Sequence, residues 1–208
     1  MSTERIHLFG AGGHAKVVID ALRAAHGDGV EVAVFDDDPA RVGTAIAGVT
    51  VEPAASLAPG ERFHVAIGTN AVRSRRFAEI AQDGARPLTI VHPKGSVSPS
   101  AAVGEGAFVA AFAVLGPDST VGTGTIVNHG AIVDHDCVAG QFCHIAPRAV
   151  LGGGVTIGDR VMVGAGAVIL PGLTLACDVV VGAGAVVTKS ITRAGIFVGT
   201  PAREVNRG

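Results

Sequence analysis

The chain has 208 residues, a net charge of −2 and 30 glycines, with no Trp and no Tyr. There is no basic surplus to hold a nucleic-acid backbone. No stretch approaches the roughly 18 continuous apolar residues of a membrane span, and no charged-then-apolar leader opens the chain, so a soluble, cytoplasmic protein is expected.

Residues 1–90 alternate strand and helix patterns. "RIHLFGAGGHAKVVIDALRAA" is a short apolar strand, a glycine turn and a helix with apolar residues at helical spacing. "VEVAVFDDD" is a second strand that ends in three aspartates. "FHVAIGTN" is a third, stopping at Gly68-Thr69-Asn70, and residues 71–83 continue as a helix. This order predicts a small parallel sheet with helices on its faces, a Rossmann-like half. Gly10, Gly12 and Ala15 fit G-x-G-x-x-[G/A], with Asp36 near the usual distance beyond. Such a turn lets backbone N–H groups approach a pyrophosphate at a helix N-terminus. It also occurs as a plain tight turn. A full dinucleotide needs two such halves, so a nucleotide diphosphate is favoured over NAD. Asp36 and Asp37 lie at the strand's carboxyl end, where ligands of such sheets bind; Asp38 reads as a solvated loop residue. "HPKGSVSPS" reads as a hinge.

From Val97 a six-residue period runs to about residue 192. Fifteen of the sixteen positions from Val97 to Val187 are Val, Ile or Leu, the exception being Ala139. Four residues after each comes a small or aliphatic residue, Cys137 and Cys143 among them, and directly after each comes Gly in eight cases. Those glycines, with Asn128 and Asp134, read as corners that need positive φ. A period of six with turn residues is the mark of a parallel β-helix. Three hexads make one triangular coil, so just over five coils stacked at about 4.8 Å give a prism on the order of 25 Å tall. Residues 193–208 read as a tail. Three cysteines make no disulfide framework and no C-x-x-C pair.

"DHDCVAGQFCHIAP" carries the chemistry. On this register His135 is third in its hexad, on an outward-facing strand, with Gly153 one coil away. His144 ends its hexad near a corner. Three readings stay open for these side chains. They are surface residues; or His129, His135 and His144 bind a metal, as in the hexapeptide-repeat carbonic anhydrases; or His135 is a general base whose neighbour Asp136 raises its basicity. The spacings of six and nine place the three histidines on different faces, which favours the base. His7 reads as structural, and His26 and His64 as exposed.

The motifs "FGAGGHAKVV", "FDDD", "AIGTN", "DHDCVAGQFCHIAP" and "FVGTPAREV" resemble the sugar acetyltransferases that join an N-terminal nucleotide-sugar domain to a left-handed β-helix. These include N-acetyltransferases of UDP-4-amino sugars such as bacillosamine and of GDP-perosamine, and relatives that O-acetylate sialic acid. The resemblance implies a left-handed coil and a homotrimer with active sites between chains. It implies His135 as base and Asp136 as its polariser, with the shorter Asp where relatives have Glu. It places acetyl-CoA against His144, Gly153, Ala165 and Ala183, and the nucleotide sugar against Gly12, Gly13, His14, Asp36, Asp37 and Gly68. The expected activity is metal-free acetyl transfer from acetyl-CoA to the amine of a nucleotide-linked 4-amino-4,6-dideoxy sugar. O-acetylation of sialic acid or another sugar hydroxyl is the alternative. A dehydrogenase would need a second nucleotide half where the hexads stand, and a bare scaffold would need neither "DHD" nor the glycine turn.

Overall fold

The computed structural model describes residues 4–205. The N-terminal part runs β1 (Glu4–Phe9), α1 (Gly13–His26), β2 (Val30–Asp36), β3 (Ala45–Ile46), β4 (Val49–Pro53), β5 (Arg62–Val65), α2 (Asn70–Gln82) and β6 (Arg86–Pro87). The six strands form one sheet in the order β3-β4-β2-β1-β5-β6, parallel except for the short β3–β4 hairpin. Central β1 buries Ile6, Leu8 and Phe9 almost completely, as a strand covered on both sides must. The face of α1 that meets the sheet is Ala15, Val18, Ile19 and Leu22, the helical spacing seen in the sequence.

The rest is the expected left-handed β-helix of hexapeptide repeats. Its three faces repeat every eighteen residues. Face 1 stacks Ile90–Val91, Phe108–Val109, Ile126–Val127, His144–Ile145, Met162–Val163 and Val179–Val181. Face 2 runs from Ser96–Val97 to Val186–Val187, and face 3 from Ala102–Val103 to Thr174–Leu175. The aliphatic position and the small position four residues later form the buried column, including Cys137 and Cys143. Ser119 and Thr125 are buried there too; their hydroxyls donate to the Gly116 and Gly140 carbonyls, both at 2.8 Å.

Four expectations change. The β-helix begins at Ile90, not Val97: Ile90–Val91 pairs with Phe108–Val109, and the supposed hinge at 92–100 is part of the first coil. The tail is structured as far as it is described. Gly195–Val198 extends face 1 beyond Val179–Val181, and Arg203–Glu204 folds back against it; residues 206–208 lie outside the described residues. Positive φ falls on the third residue after each aliphatic one, as at Asp118, Asp136, Phe142, Arg160 and Asp178, not on the residue directly after it. The glycine directly after serves close approach instead: a Cβ on Gly116 would lie 2.6 Å from the His135 nitrogen of the next coil. Finally, His64 is buried, not exposed.

Face 1 joins the two halves. Its outward residues Ile90, Phe108 and Ile126 share a core with Ile6, Leu8 and the buried face of α1. The next rungs of the same column are His144, Met162 and Val180. These line an open cleft instead. His64 sits in the joint, with Nδ1 3.0 Å from the Leu88 carbonyl and its ring 6.1 Å from that of Phe108. Burial, opposed in part by that hydrogen bond, pushes its pKa down to about 4. The unfolded chain therefore binds a proton that the folded chain refuses. Stability should be complete above about pH 6.5 and fall by on the order of 3 kcal/mol as pH drops through 4. Urea unfolding from pH 7.5 to 4 should show at least this loss, and His64→Asn should remove its share while those of His14 and His144, depressed in the same way, remain.

Candidate active site

The glycine turn after β1 is held open by β2. Gly10 has φ 103°, and a Cβ there would lie 2.6 Å from Ile67. The two carboxylate oxygens of Asp36 accept the N–H groups of Ala11 (2.6 Å) and Asp38 (2.9 Å), which ties the turn to the end of β2. Asp37 is exposed and meets Arg76 at 3.1 Å. Gly12 precedes α1 in extended backbone and Gly13 begins it, so the helix's first N–H groups face the crevice.

That crevice is a cleft of about 890 Å³ between the carboxyl ends of the strands and face 1. This is where open parallel sheets bind ligands. Gly12, Gly13, His14, Asp36, Asp37 and Gly68 all line it, and His144 lines it too. The His14 ring stands edge-on to Phe108 at 5.2 Å, and its Nε2 is buried without a hydrogen-bond partner among the described residues. Burial holds its pKa well below the ordinary imidazole value, with His64, His144, Arg73 and His129 adding to the shift.

His144 lies in a strand of face 1 rather than near a corner. Its proton is assigned by its neighbours. The His129 N–H donates to Asn128 Oδ1 at 2.8 Å, which turns the Asn128 amide Nδ2 toward His144 Nε2 at 3.2 Å. His144 Nδ1 faces the Gly68 carbonyl at 3.2 Å. A backbone N–H only donates and a carbonyl only accepts, so Nδ1 carries the hydrogen and Nε2 accepts. Burial, then the nearby Arg73, pushes its pKa down to about 4, so the ring is neutral near pH 7.

His135 occupies the turn between faces 2 and 3, not an outward-facing strand. In a triangular section that corner is the one opposite face 1, so His135 is not in the cleft of its own chain. Asp136 follows it at φ 59°, a conformation Asp tolerates. This bend brings Asp136 Oδ2 to 2.7 Å from His135 Nδ1, so the shorter acid makes the contact. The Asp134 carboxylate accepts the His135 N–H at 2.8 Å. The hydrogen bond to Asp136 and the charge of Asp134 raise the imidazole pKa above its ordinary value. Nε2, the free lone pair, stands over Gly153, where any Cβ would collide with the ring. The Gly153 N–H makes no hydrogen bond among the described residues. An exposed, polarised imidazole beside a bare backbone donor can take a proton and steady an oxyanion.

Ala165 and Ala183 do not share that corner. They stack at the turn between faces 1 and 2, one coil apart, exposed, with no hydrogen bond from either N–H among the described residues. His129 is in the same column. His129, His135 and His144 thus lie on two corners and a face. Among the described residues no three His, Cys, Asp or Glu side chains come together to hold a metal. Asn70, Arg73 and Arg160 have no role legible in the sequence, and Asn128, which reads there as a corner residue, is instead a partner of His144. A polar residue within a helix or beside a corner looks solvated until its partner is known; only Asn128 carries a signal, as a break in a run of Gly and Ala after the aliphatic position.

The His135–Asp136 geometry can be checked without substrate. Asp136→Asn should lower the His135 pKa in an NMR titration and leave the pKa of His144 where it was.

Residues 5–80 match the PglD N-terminal domain family, and residues 136–171 match the bacterial transferase hexapeptide (six repeats) family. The chain is 37% identical to PerB from Caulobacter crescentus, solved in complex with CoA and GDP-perosamine, with a TM-score of 0.90 over 99% of both chains. It is 34% identical to the acetyltransferase domain of PglB from Neisseria gonorrhoeae FA1090, with a TM-score of 0.91 over 97% of this chain and 100% of that one. It is also 32% identical to the UDP-N-acetylbacillosamine N-acetyltransferase of Bacillus subtilis (strain 168) over 113 residues, and this match spans 52% of either chain. With a PglD-type domain ahead of a hexapeptide β-helix, and over a third of its residues shared with PerB along nearly the full length, the chain belongs to the hexapeptide-repeat sugar N-acetyltransferase family.

Proposed function

We propose that the protein transfers the acetyl group of acetyl-CoA to the amine of a nucleotide-linked 4-amino-4,6-dideoxy sugar, in the cytoplasm, as a homotrimer. The observation that carries the chemistry is the His135–Asp136 pair beside the unbonded Gly153 N–H. The nucleotide diphosphate lies in the cleft against Gly12, Gly13 and His14, with Asp36, Asp37 and Gly68 around it. The amine nitrogen attacks the thioester carbonyl carbon while His135 Nε2 takes its proton. The Gly153 N–H donates to the oxyanion. The C–N bond forms, the C–S bond breaks, and the proton held on His135 returns to the departing thiolate as CoA leaves. The three thiols are free, as a reducing compartment keeps them.

Geometry also argues for more than one chain. The cleft lies on face 1, and His135 on the opposite corner. Face 2, between the corner of His135 and that of Ala165 and Ala183, carries the column Val114, Ile132, Val150, Val168 and Val186, half-buried and apolar. Face 3 instead carries exposed Thr120, Thr156 and Thr174, with Val138 its one large exposed apolar residue. Three copies turning face 2 toward a common axis set the His135 corner of one against the Ala165 corner of the next. The coenzyme then runs between chains, along free N–H groups on one side and past Gly153 on the other. His144 marks where this groove meets the neighbour's cleft.

Sedimentation equilibrium should give three times the chain mass, and a stable monomer at micromolar concentration overturns the shared site. Thiol release from acetyl-CoA, assayed with UDP- and GDP-linked 4-amino sugars, should persist in chelator. His135→Ala should lose about 10²- to 10⁴-fold in turnover with the assembly intact, and His129→Ala should lose little. Asp136→Asn should fall between them and move the acidic limb of kcat/KM to lower pH, because it removes the anion that raises the base.

A further inference from the structure

Arg73 is almost fully buried, yet among the described residues no carboxylate is its partner. Its Nε donates to the Gly124 carbonyl at 2.7 Å. Nη1 donates to the carbonyls of Ile67 (2.9 Å) and Gly68 (3.0 Å). Nη2 reaches the carbonyls of Phe142 (2.8 Å) and Cys143 (2.9 Å) and Oδ1 of Asn70 (2.9 Å). Asn70 in turn donates to the carbonyls of Arg160 (2.9 Å) and Val161 (3.2 Å). Gly124, Phe142 and Arg160 occupy the same corner in three successive coils, each with positive φ. The first turn of α2 therefore grips a ladder of three corner carbonyls. Burying a guanidinium without an anion is costly unless every N–H is used, and here all of them are. Burial lowers its pKa to about 10, so it stays charged at neutral pH.

The same guanidinium fixes the loop that lines the cleft. It holds the Gly68 carbonyl, which is also the partner of His144 Nδ1. We infer that Arg73 is a positioning residue: it locks the Ile67–Gly68 end of the nucleotide cleft onto the β-helix and, through the Gly68 carbonyl, acts with the Asn128 amide to hold His144 in its Nδ1–H form. This rests on the cleft's being the nucleotide-sugar site proposed above. Lysine in its place keeps the charge but is a point donor that cannot span two coils and the loop.

The test is Arg73→Lys beside the control Arg75→Ala, whose side chain is 72% exposed. Nitrogen-15 NMR of the histidines should show His144 as the Nδ1–H tautomer in the wild type and in the control. In Arg73→Lys it should show a mixture, with cooperative unfolding retained. The KM for the nucleotide sugar should rise by roughly ten- to a hundredfold, and the KM for acetyl-CoA should hold. If Arg73→Lys does not fold, Asn70→Ala takes its place and should shift tautomer and KM in the same direction by less. An unmoved tautomer, or equal changes in both KM values, overturns the inference. Wild-type protein that turns over none of the nucleotide sugars overturns the functional reading instead, and the tautomer measurement still decides the role of Arg73.

Discussion

In the β-helix each residue's lateral neighbour is the one eighteen positions further on, held there by ladder hydrogen bonds such as those that pair Ile126 with His144 and His144 with Met162. That spacing turns the sequence into vertical columns, and each column has one environment. The aliphatic column fills the prism. The glycines that follow it allow backbones to close up. The left-handed corner positions send carbonyls outward along the edges. Everything the protein does with this prism is an interruption of a column. Gly153 interrupts the corner above His135 and clears space for its ring. His144 interrupts an apolar column running from Ile90 through Phe108 and Ile126 to Met162 and Val180.

The position of that second interruption follows from where the N-terminal domain stops. Its apolar face covers Ile90, Phe108 and Ile126 and goes no further. The next rung is half-covered, and a polar ring is placed there with all of its hydrogen-bonding capacity used. Two histidines nine residues apart thus sit in opposite environments. His135 is exposed and flanked by two carboxylates, which raises its pKa; His144 is half-buried near a guanidinium, and desolvation and that charge lower it. Environments that push two like groups apart assign them different work. In the proposed mechanism the base role falls to His135, whose lone pair is free and strengthened, and not to His144.

The prism is legible in the sequence because a period of six is a purely local pattern, and the coil register alone sets Gly153 beside His135. The cleft residues Gly12, Gly13, His14, Asp36, Asp37 and Gly68 were legible for a similar reason: strand ends and glycine turns mark one edge of a parallel sheet. Three features were not. The residue that carries positive φ at the corners is not the glycine directly after the aliphatic one, because glycine serves both positive φ and close approach, and at that position it serves the second. The start at Ile90 was hidden by the Pro and Ser of "HPKGSVSPS", which read as a hinge but form corners. Arg73 was hidden because its partners are carbonyls, and carbonyls have no sequence signature. The division of Gly153 from Ala165 and Ala183 between two corners was also implicit in the six-residue count, since twelve residues separate Gly153 from Ala165 and so shift the corner.

Arg73 links these features electrostatically as well as mechanically. Its charge lowers the proton affinity of His14, His64 and His144, the imidazoles around the joint and the cleft. A buried charge is poorly screened, so its field extends into the cleft that those side chains line. That field favours a pyrophosphate at the start of α1, where the N–H groups of the glycine turn add to it. In the proposed reaction it also acts on a sugar amine held near His144. An ammonium there is disfavoured in the same sense as a protonated imidazole, so part of the work of producing a neutral nucleophile is done before His135 takes the last proton. A positive residue with carbonyl partners alone is suited to this, because a carboxylate partner would hold the wall together but cancel the field.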